Sequence, residues 1–279
     1  MKKILSITIV TMFVLSANHS NAQMKKGAYV GLNFGYNAPA GAGNFDAISV
    51  VNSTSTNTSY SIENIKFSFG KGVSTGLAFG YMFNENIGAE LGVQYLLGGK
   101  TKYTQTFTFT NTSITTGDIS AKMFQIKPSI VLATTIKKTT PYAKFGMVIG
   151  SGKILSNEKS IRNLNNTTEE TVEFKGGISL GYSAAVGLNF PINKNIAINS
   201  EINMVNMQYS PKKAILTKAT SNGVDQLPSY NTSQKEIDFV KKLVINGSAP
   251  APTNIPAQQP AFASAFGSIG ISVGLKYSF

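Results

Sequence analysis

The sequence predicts an all-β fold: an eight-stranded antiparallel up-and-down transmembrane β-barrel with long extracellular loops. Eight segments alternate apolar with small or polar residues at a period of two, the signature of strands rather than helices. The connections between them alternate short and long, as in an up-and-down membrane barrel. Beyond the first residues no stretch approaches about 18 consecutive apolar positions, so no membrane helix competes with the strands. Composition agrees. Of 279 residues only 14% are charged, 26 are Gly, and Cys and Trp are absent. Disulfides, thiolate metal sites and thiol nucleophiles are thereby excluded.

The first 22 residues stand apart from the fold. Lys2 and Lys3 form a short basic region, Ile4 to Leu15 an apolar stretch, and Ser20-Asn21-Ala22 offers small residues before Gln23. That order reads as a secretory signal peptide cleaved after Ala22, leaving residues 23–279 as one barrel domain. Cleavage removes His19, the only histidine. The mature chain then holds 23 basic residues (25 less Lys2 and Lys3) against 13 acidic ones, a net charge of +10.

The segments follow in order. The first presents Ala28, Val30, Leu32, Phe34 and Tyr36 on one side; the second Val73, Thr75, Leu77, Phe79, Tyr81 and Phe83. The third presents Ile87, Ala89, Leu91, Val93, Tyr95 and Leu97, and the fourth Phe124, Ile126, Pro128, Ile130 and Leu132. Ala143, Phe145, Met147 and Ile149 mark the fifth; Ile178, Leu180, Tyr182, Ala184, Val186, Leu188 and Phe190 the sixth. The seventh is less regular (Ile196, Ile198, Ser200, Ile202, Met204), and the eighth is the cleanest: Ile269, Ile271, Val273, Leu275, Tyr277, Phe279. Pro128 deletes a ladder donor inside the fourth strand, so a bulge is expected there.

The opposite faces are small and polar, with runs such as Gly31, Asn33, Gly35 and Ser179, Gly181, Ser183, and only isolated charges. A soluble sandwich would cover its outer face with charge, and a soluble lipocalin-like barrel would turn the apolar face into its cavity. Glycine-rich polar faces suit a narrow interior, and apolar faces ending in Tyr and Phe suit lipid and its aromatic girdles. Asn84-Glu85-Asn86, Lys137 to Thr140 and Pro191 to Asn195 have the composition of tight turns. The remaining connections, about 37–71, 98–122, 152–175 and 210–261, are long. An even strand count with these long connections outside puts both mature termini in the periplasm.

The signal peptide, the eight amphipathic strands and the terminal Leu275-Lys276-Tyr277-Ser278-Phe279 resemble small OmpA/OmpX-type outer-membrane β-barrels. Lys26-Gly27-Ala28-Tyr29-Val30-Gly31 and the strand from Glu201 to Pro211 look most like the outer membrane protein β-barrel family of the Bacteroidota. The resemblance implies the outer membrane of a Gram-negative cell, contact with its lipids and lipopolysaccharide, and recognition by the outer-membrane assembly machinery. The last would use the alternating terminal stripe Ile271, Val273, Leu275, Tyr277 and Phe279. The chain stops at its last strand, so the peptidoglycan-binding domain of full OmpA-type proteins is not expected, and no cell-wall tethering role carries over.

Small outer-membrane enzymes are similar to one another in using histidine as general base or acid. The mature chain has none, so a Ser-His-carboxylate or Asp-His arrangement cannot be built; a Ser-Lys dyad stays open in principle, but Ser and Lys are abundant enough to pair by coincidence, and no enzyme and no cofactor are expected. Gly150-Ser151-Gly152-Lys153 lacks the preceding glycine of a P-loop and has Ile154 in place of Ser/Thr. Gly98-Gly99-Lys100-Thr101 has Gln94 where the first glycine belongs. Both sit at strand ends with no helix following.

Charges on the polar faces are the candidate site. Glu90, Lys144, Glu201 and Lys276 are expected at similar depth in the lumen, with Lys127 higher, and pairing is expected between neighbouring strands: Glu201 with Lys276, Glu90 with Lys127. Unpaired charge in so narrow an interior is costly. Two roles follow, a static plug or a gate on a small pore. The other basic residues (Lys66, Lys71, Lys100, Lys102, Lys122, Lys153, Lys159, Arg162, Lys212, Lys213, Lys218, Lys241, Lys242) fall outside the membrane band. There they either solubilise loops or meet lipopolysaccharide phosphates; a secreted barrel meets no nucleic acid. Within 100–122, Tyr103, Gln105, Phe107 and Phe109 alternate with Thr104, Thr106, Thr108 and Thr110, predicting a protruding hairpin whose edge is open to an extracellular partner strand. Loop 210–261 holds a short local element between Gln234 and Ile245. The function these features imply is an outer-membrane structural and surface-interaction protein, with a narrow channel as the alternative.

Overall fold

The computed structural model describes residues 26–41, 43–53, 60–108, 112–136, 138–162, 165–243 and 252–279; the expected signal peptide lies outside them. Eight strands close a ring: β1 (Gly27–Pro39), β2 (Gly72–Met82), β3 (Ile87–Gly98), β4 (Thr112–Ala133), β5 (Thr140–Arg162), β6 (Asn166–Pro191), β7 (Ile196–Tyr209) and β8 (Ser268–Ser278). Each is antiparallel to the next, and β8 returns to β1 with Leu275 opposite Leu32 and Ser272 opposite Gly35. The ring leaves no unpaired edge of its own.

The predicted apolar faces all point outward. Leu32, Phe79, Leu91, Ile130, Phe145, Leu180, Ile202 and Val273 belong to one continuous exposed belt, the inverse of a water-soluble barrel. At one end three short turns close it. Asn84 Oδ1 accepts from the amides of Asn86 and Ile87, both at 2.8 Å, and Asn193 Oδ1 accepts likewise from Asn195 (2.9 Å) and Ile196 (2.8 Å). The same device thus makes two of the three turns, each an asparagine side chain standing in for a backbone acceptor.

At the other end much of the described length of the long connections is strand, which corrects the expectation of eight strands alone. Among the described residues the chain forms sixteen strands. β4, β5 and β6 run for 22, 23 and 26 residues, about twice what crosses a bilayer. Their far halves continue as a wall joined by Thr101–Thr108, Gly43–Ser53 and Tyr60–Phe67 on one side. On the other side lie Lys213–Ser221, Glu236–Val240 and Ala257–Pro260. The expected hairpin forms where Thr101–Thr108 pairs with β4, while Phe109 and Thr110 lie outside the described residues. Its outer edge, however, is partly covered by a parallel pairing of Asn52 and Ser53 with Thr106 and Phe107. The local element expected between Gln234 and Ile245 is the end of a capped helical turn, Thr232–Lys235, in which Asn231 and Gln234 form a capping box, followed by the strand Glu236–Val240; residues 244 and 245 lie outside the described residues.

Two backbone details set which side chains face where. Pro128 causes no bulge. β3 and β4 stay in register past it, and on the β5 side pairing lapses at Lys127 and Pro128 without a shift, from Ile126 opposite Ile149 to Ser129 opposite Gly146. Glycine at 146 accommodates the Pro128 carbonyl, which a Cβ there would strike, so the missing donor is absorbed without an extra residue. A bulge does occur between β5 and β6, where the register shifts between Ser151 and Lys153. Gly176 sits in it at φ +87°, a conformation glycine adopts without strain. Since side chains alternate, the extra residue exchanges the faces of the β6 residues beyond it and leaves β5 in step.

Candidate functional site

The ring's interior is crossed by a three-membered ion pair. Lys144 Nζ on β5 lies 2.8 Å from Glu90 Oε1 on β3 and 2.9 Å from Glu201 Oε2 on β7. Tyr29 donates its hydroxyl to Glu90 (2.8 Å) and Tyr142 donates to Glu201 (3.2 Å). Lys276 Nζ stands 3.4 Å from the centre of the Tyr29 ring, a cation–π contact. Higher up, Lys127 donates to Gln94. All five sequence-identified charges thus face the lumen, and four of them gather with Tyr29 and Tyr142.

The expected partners are corrected. Glu201 stands opposite Ser272, with Lys276 four residues farther down β8, roughly 13 Å along the strand. Glu90 stands opposite Ser129 and Lys127 opposite Gly92. The carboxylates therefore have small neighbours beside them, and the cation that reaches both comes across the lumen from β5. Depth depends on register and strand tilt, which counting residues from a turn does not supply.

Two glycines make room for the tyrosines. A Cβ at Gly80 would run into the Tyr29 ring, and one at Gly187 into that of Tyr142. Gly80→Ala is expected to swing Tyr29 off Glu90 and lower stability by about 1–3 kcal/mol, read as an earlier urea midpoint; an unchanged midpoint would show that Tyr29 does not depend on this seat.

The partition separates two small cavities. One, of about 80 Å³, lies on the extension side among Gly76, Gln94, Lys127, Ser129, Asn203 and Ser272. The other, of about 20 Å³, lies on the turn side among Tyr29, Val131, Tyr142, Asn189, Asn199 and Lys276. Asn33, Ala78, Glu90 and Lys144 line both, so the network is the wall between them. Such volumes hold a few waters at most.

Above the larger cavity the interior turns apolar. Leu96, Met123, Val148, Val205, Met207 and Tyr209 point inward and are buried, and Phe69 and Phe266 close over them from the segments preceding β2 and β8. Phe266 meets Phe69 with ring centres 5.3 Å apart and Tyr209 at 5.7 Å, edge-on. The two segments are tied across the mouth. Phe69 N donates to the Ala265 carbonyl and Phe266 N to the Met207 carbonyl, each at 2.9 Å, and Ser68 Oγ donates to the Gly267 carbonyl at 2.5 Å. Tyr209 donates to the Gly152 carbonyl at 2.6 Å. The sequence reading missed this cap. The inward apolar wall beneath the two phenylalanines did leave a signal, where alternation lapses into unbroken apolar runs at Tyr95-Leu96-Leu97, Met147-Val148-Ile149 and Met204-Val205.

The remaining sequence features fall elsewhere. Gly150 to Lys153 lies inside β5, and Gly98-Gly99-Lys100 leads from β3 into another strand; neither precedes a helix. The terminal stripe Ile271, Val273, Leu275, Tyr277 and Phe279 is exposed on the outer face of β8, with the last two rings edge-on at 5.2 Å.

A family model described as the outer membrane protein beta-barrel domain matches residues 7–234. No curated protein sequence matches the chain. Among solved structures, the crystal structure of the outer membrane protein OprG from Pseudomonas aeruginosa is similar at 14% identity and a TM-score of 0.44. That match covers 93% of this chain and 99% of that one.

Proposed function

This chain belongs to the outer membrane protein beta-barrel domain family, and on that footing we propose that it is a closed, non-enzymatic scaffold of the outer membrane that presents its extended wall at the cell surface. In this reading the turn end and both mature termini face the periplasm, the extensions face outward, and the stripe Ile271 to Phe279 is what the assembly machinery engages. The observation that carries it is the lumen. A path through the ring meets the Lys144 partition and then the apolar cap, and the space between them holds only a few waters. Eight strands leave an interior that side chains fill.

Planar-bilayer recording of refolded residues 23–279, with heat-shifted gel mobility as proof of folding, tests it. Folded protein that carries no current supports the scaffold. Reproducible unitary steps altered by neutralising Glu201 or Lys276 would replace it with a narrow channel whose lumen charges set selectivity.

A further inference from the structure

Just beyond the apolar belt, on the extension side, Lys122 of β4 stands directly opposite Lys153 of β5, Lys153 opposite Lys175 of β6, and Lys175 opposite Lys213. Of the residues next to them, Met123 and Ile154 belong to the cap's apolar cluster, Phe174 packs against it and Ala214 is buried, so alternation sends all four lysines outward. The Gly176 bulge is what brings Lys175 into this row. Without the shift it would oppose Ile154 and face inward. Three strand spacings make the row roughly 15 Å long.

Like charges directly opposed across a sheet are destabilising, and the protein supplies only part of the compensation. Glu173 serves both Lys153 (3.0 Å) and Lys175 (3.6 Å), and Asp238 serves Lys213 (3.6 Å). Lys122 has no acidic partner among the described residues. Burial pushes the Glu173 carboxyl up, but the hydrogen bond and charge of Lys153, with the charge of Lys175, outweigh it and hold the group below the ordinary carboxylate value. It is therefore ionised near neutrality, and four cations share two carboxylates. Immediately below, Phe124 and Ile149 are exposed, as are Ile178 (72%) and Leu180 (62%). A row of spare ammonium charge over bare apolar wall matches an amphiphile with phosphates above several acyl chains. A zwitterionic phospholipid brings one phosphate offset by its own amine and matches less well.

We propose that Lys122, Lys153, Lys175 and Lys213 form a ledge that binds the phosphorylated headgroup of lipopolysaccharide, its acyl chains lying on Phe124, Ile178 and Leu180. The assignment rests on the scaffold reading for its leaflet, since it takes the extensions to face outward.

Native mass spectrometry of the refolded barrel in detergent, with diphosphoryl lipid A, its dephosphorylated form and inorganic phosphate as probes, tests the ledge. Replacing all four lysines by Gln should weaken diphosphoryl lipid A by at least about tenfold. Removing the same charge higher on the wall, as K100Q/K102Q/K159Q/K218Q, should change it by less than about twofold. If the quadruple variant fails the heat-shift check, Lys122→Gln alone should still weaken binding measurably, because that lysine has no carboxylate to lose. Equal losses in the two quadruple variants, equal binding of the dephosphorylated lipid, or displacement by equimolar inorganic phosphate would each overturn the proposal. Conductance of the same preparation is scored separately. Silent protein that ignores the lipid removes the ledge and leaves the scaffold; conducting protein that binds it removes the scaffold and leaves the ledge.

Discussion

Lys144→Met is expected to lower the stability of the barrel by about 3–5 kcal/mol, the usual consequence of stripping one partner from a buried ion pair. The reason is local and specific. Lys144 is the cation between Glu90 and Glu201, and its loss leaves the two carboxylates facing one another without the ammonium that bridges them, each still accepting from a tyrosine hydroxyl. The side chains of all three members are largely screened from water. Methionine keeps the volume, so the effect reads charge rather than packing. The triple change Lys144→Met, Glu90→Gln, Glu201→Gln should recover most of the loss, because removing a whole buried charge set is often near neutral. Urea midpoints followed by heat-shifted mobility check both variants. A single variant as stable as the parent would mean that water, rather than Lys144, compensates the two carboxylates. The partition would then be a weaker wall than its geometry implies.

What the sequence made legible was whatever depends on alternation and turn chemistry. The outward belt needs only a period of two, and Asn84 and Asn193 announce their turns because an asparagine oxygen is a local substitute for a carbonyl. The lumen charges were legible as a set, since face is fixed by parity. Their partners were not, because partnership across a lumen depends on register, and Glu201 opposite Ser272 is a fact of the β7–β8 ladder rather than of either segment. Lys175 shows the limit most plainly. Counted down β6 from Ile178, it falls on the inward face; the Gly176 bulge reverses that, and one glycine moves a lysine from the interior to the lysine row. The cap escaped for a different reason. Phe69 and Phe266 sit in short Gly- and Ser-flanked segments with no periodicity to read, and only the closed ring brings positions so distant in sequence over the same mouth.

Phe266→Ala should cost about 3–5 kcal/mol as a buried aromatic truncation, and the loss should be confined to the extension end. Phe266 is fully buried and touches Phe69 and Tyr209, whereas the ladders that close the ring lie below it. Hydrogen exchange should therefore rise at residues 68–70 and 264–267 while the β1–β8 seam stays protected. Conductance should remain at zero, because the Glu90–Lys144–Glu201 wall still separates the two cavities. Current from Phe266→Ala alone would make the cap the only real seal and the ion pairs a leaky one. Two closures in series make a sharper prediction for the combination of Phe266→Ala with Lys144→Ala, with folding checked by heat shift. Opening both should pass current that neither single variant carries, since neither closure then stands across the lumen.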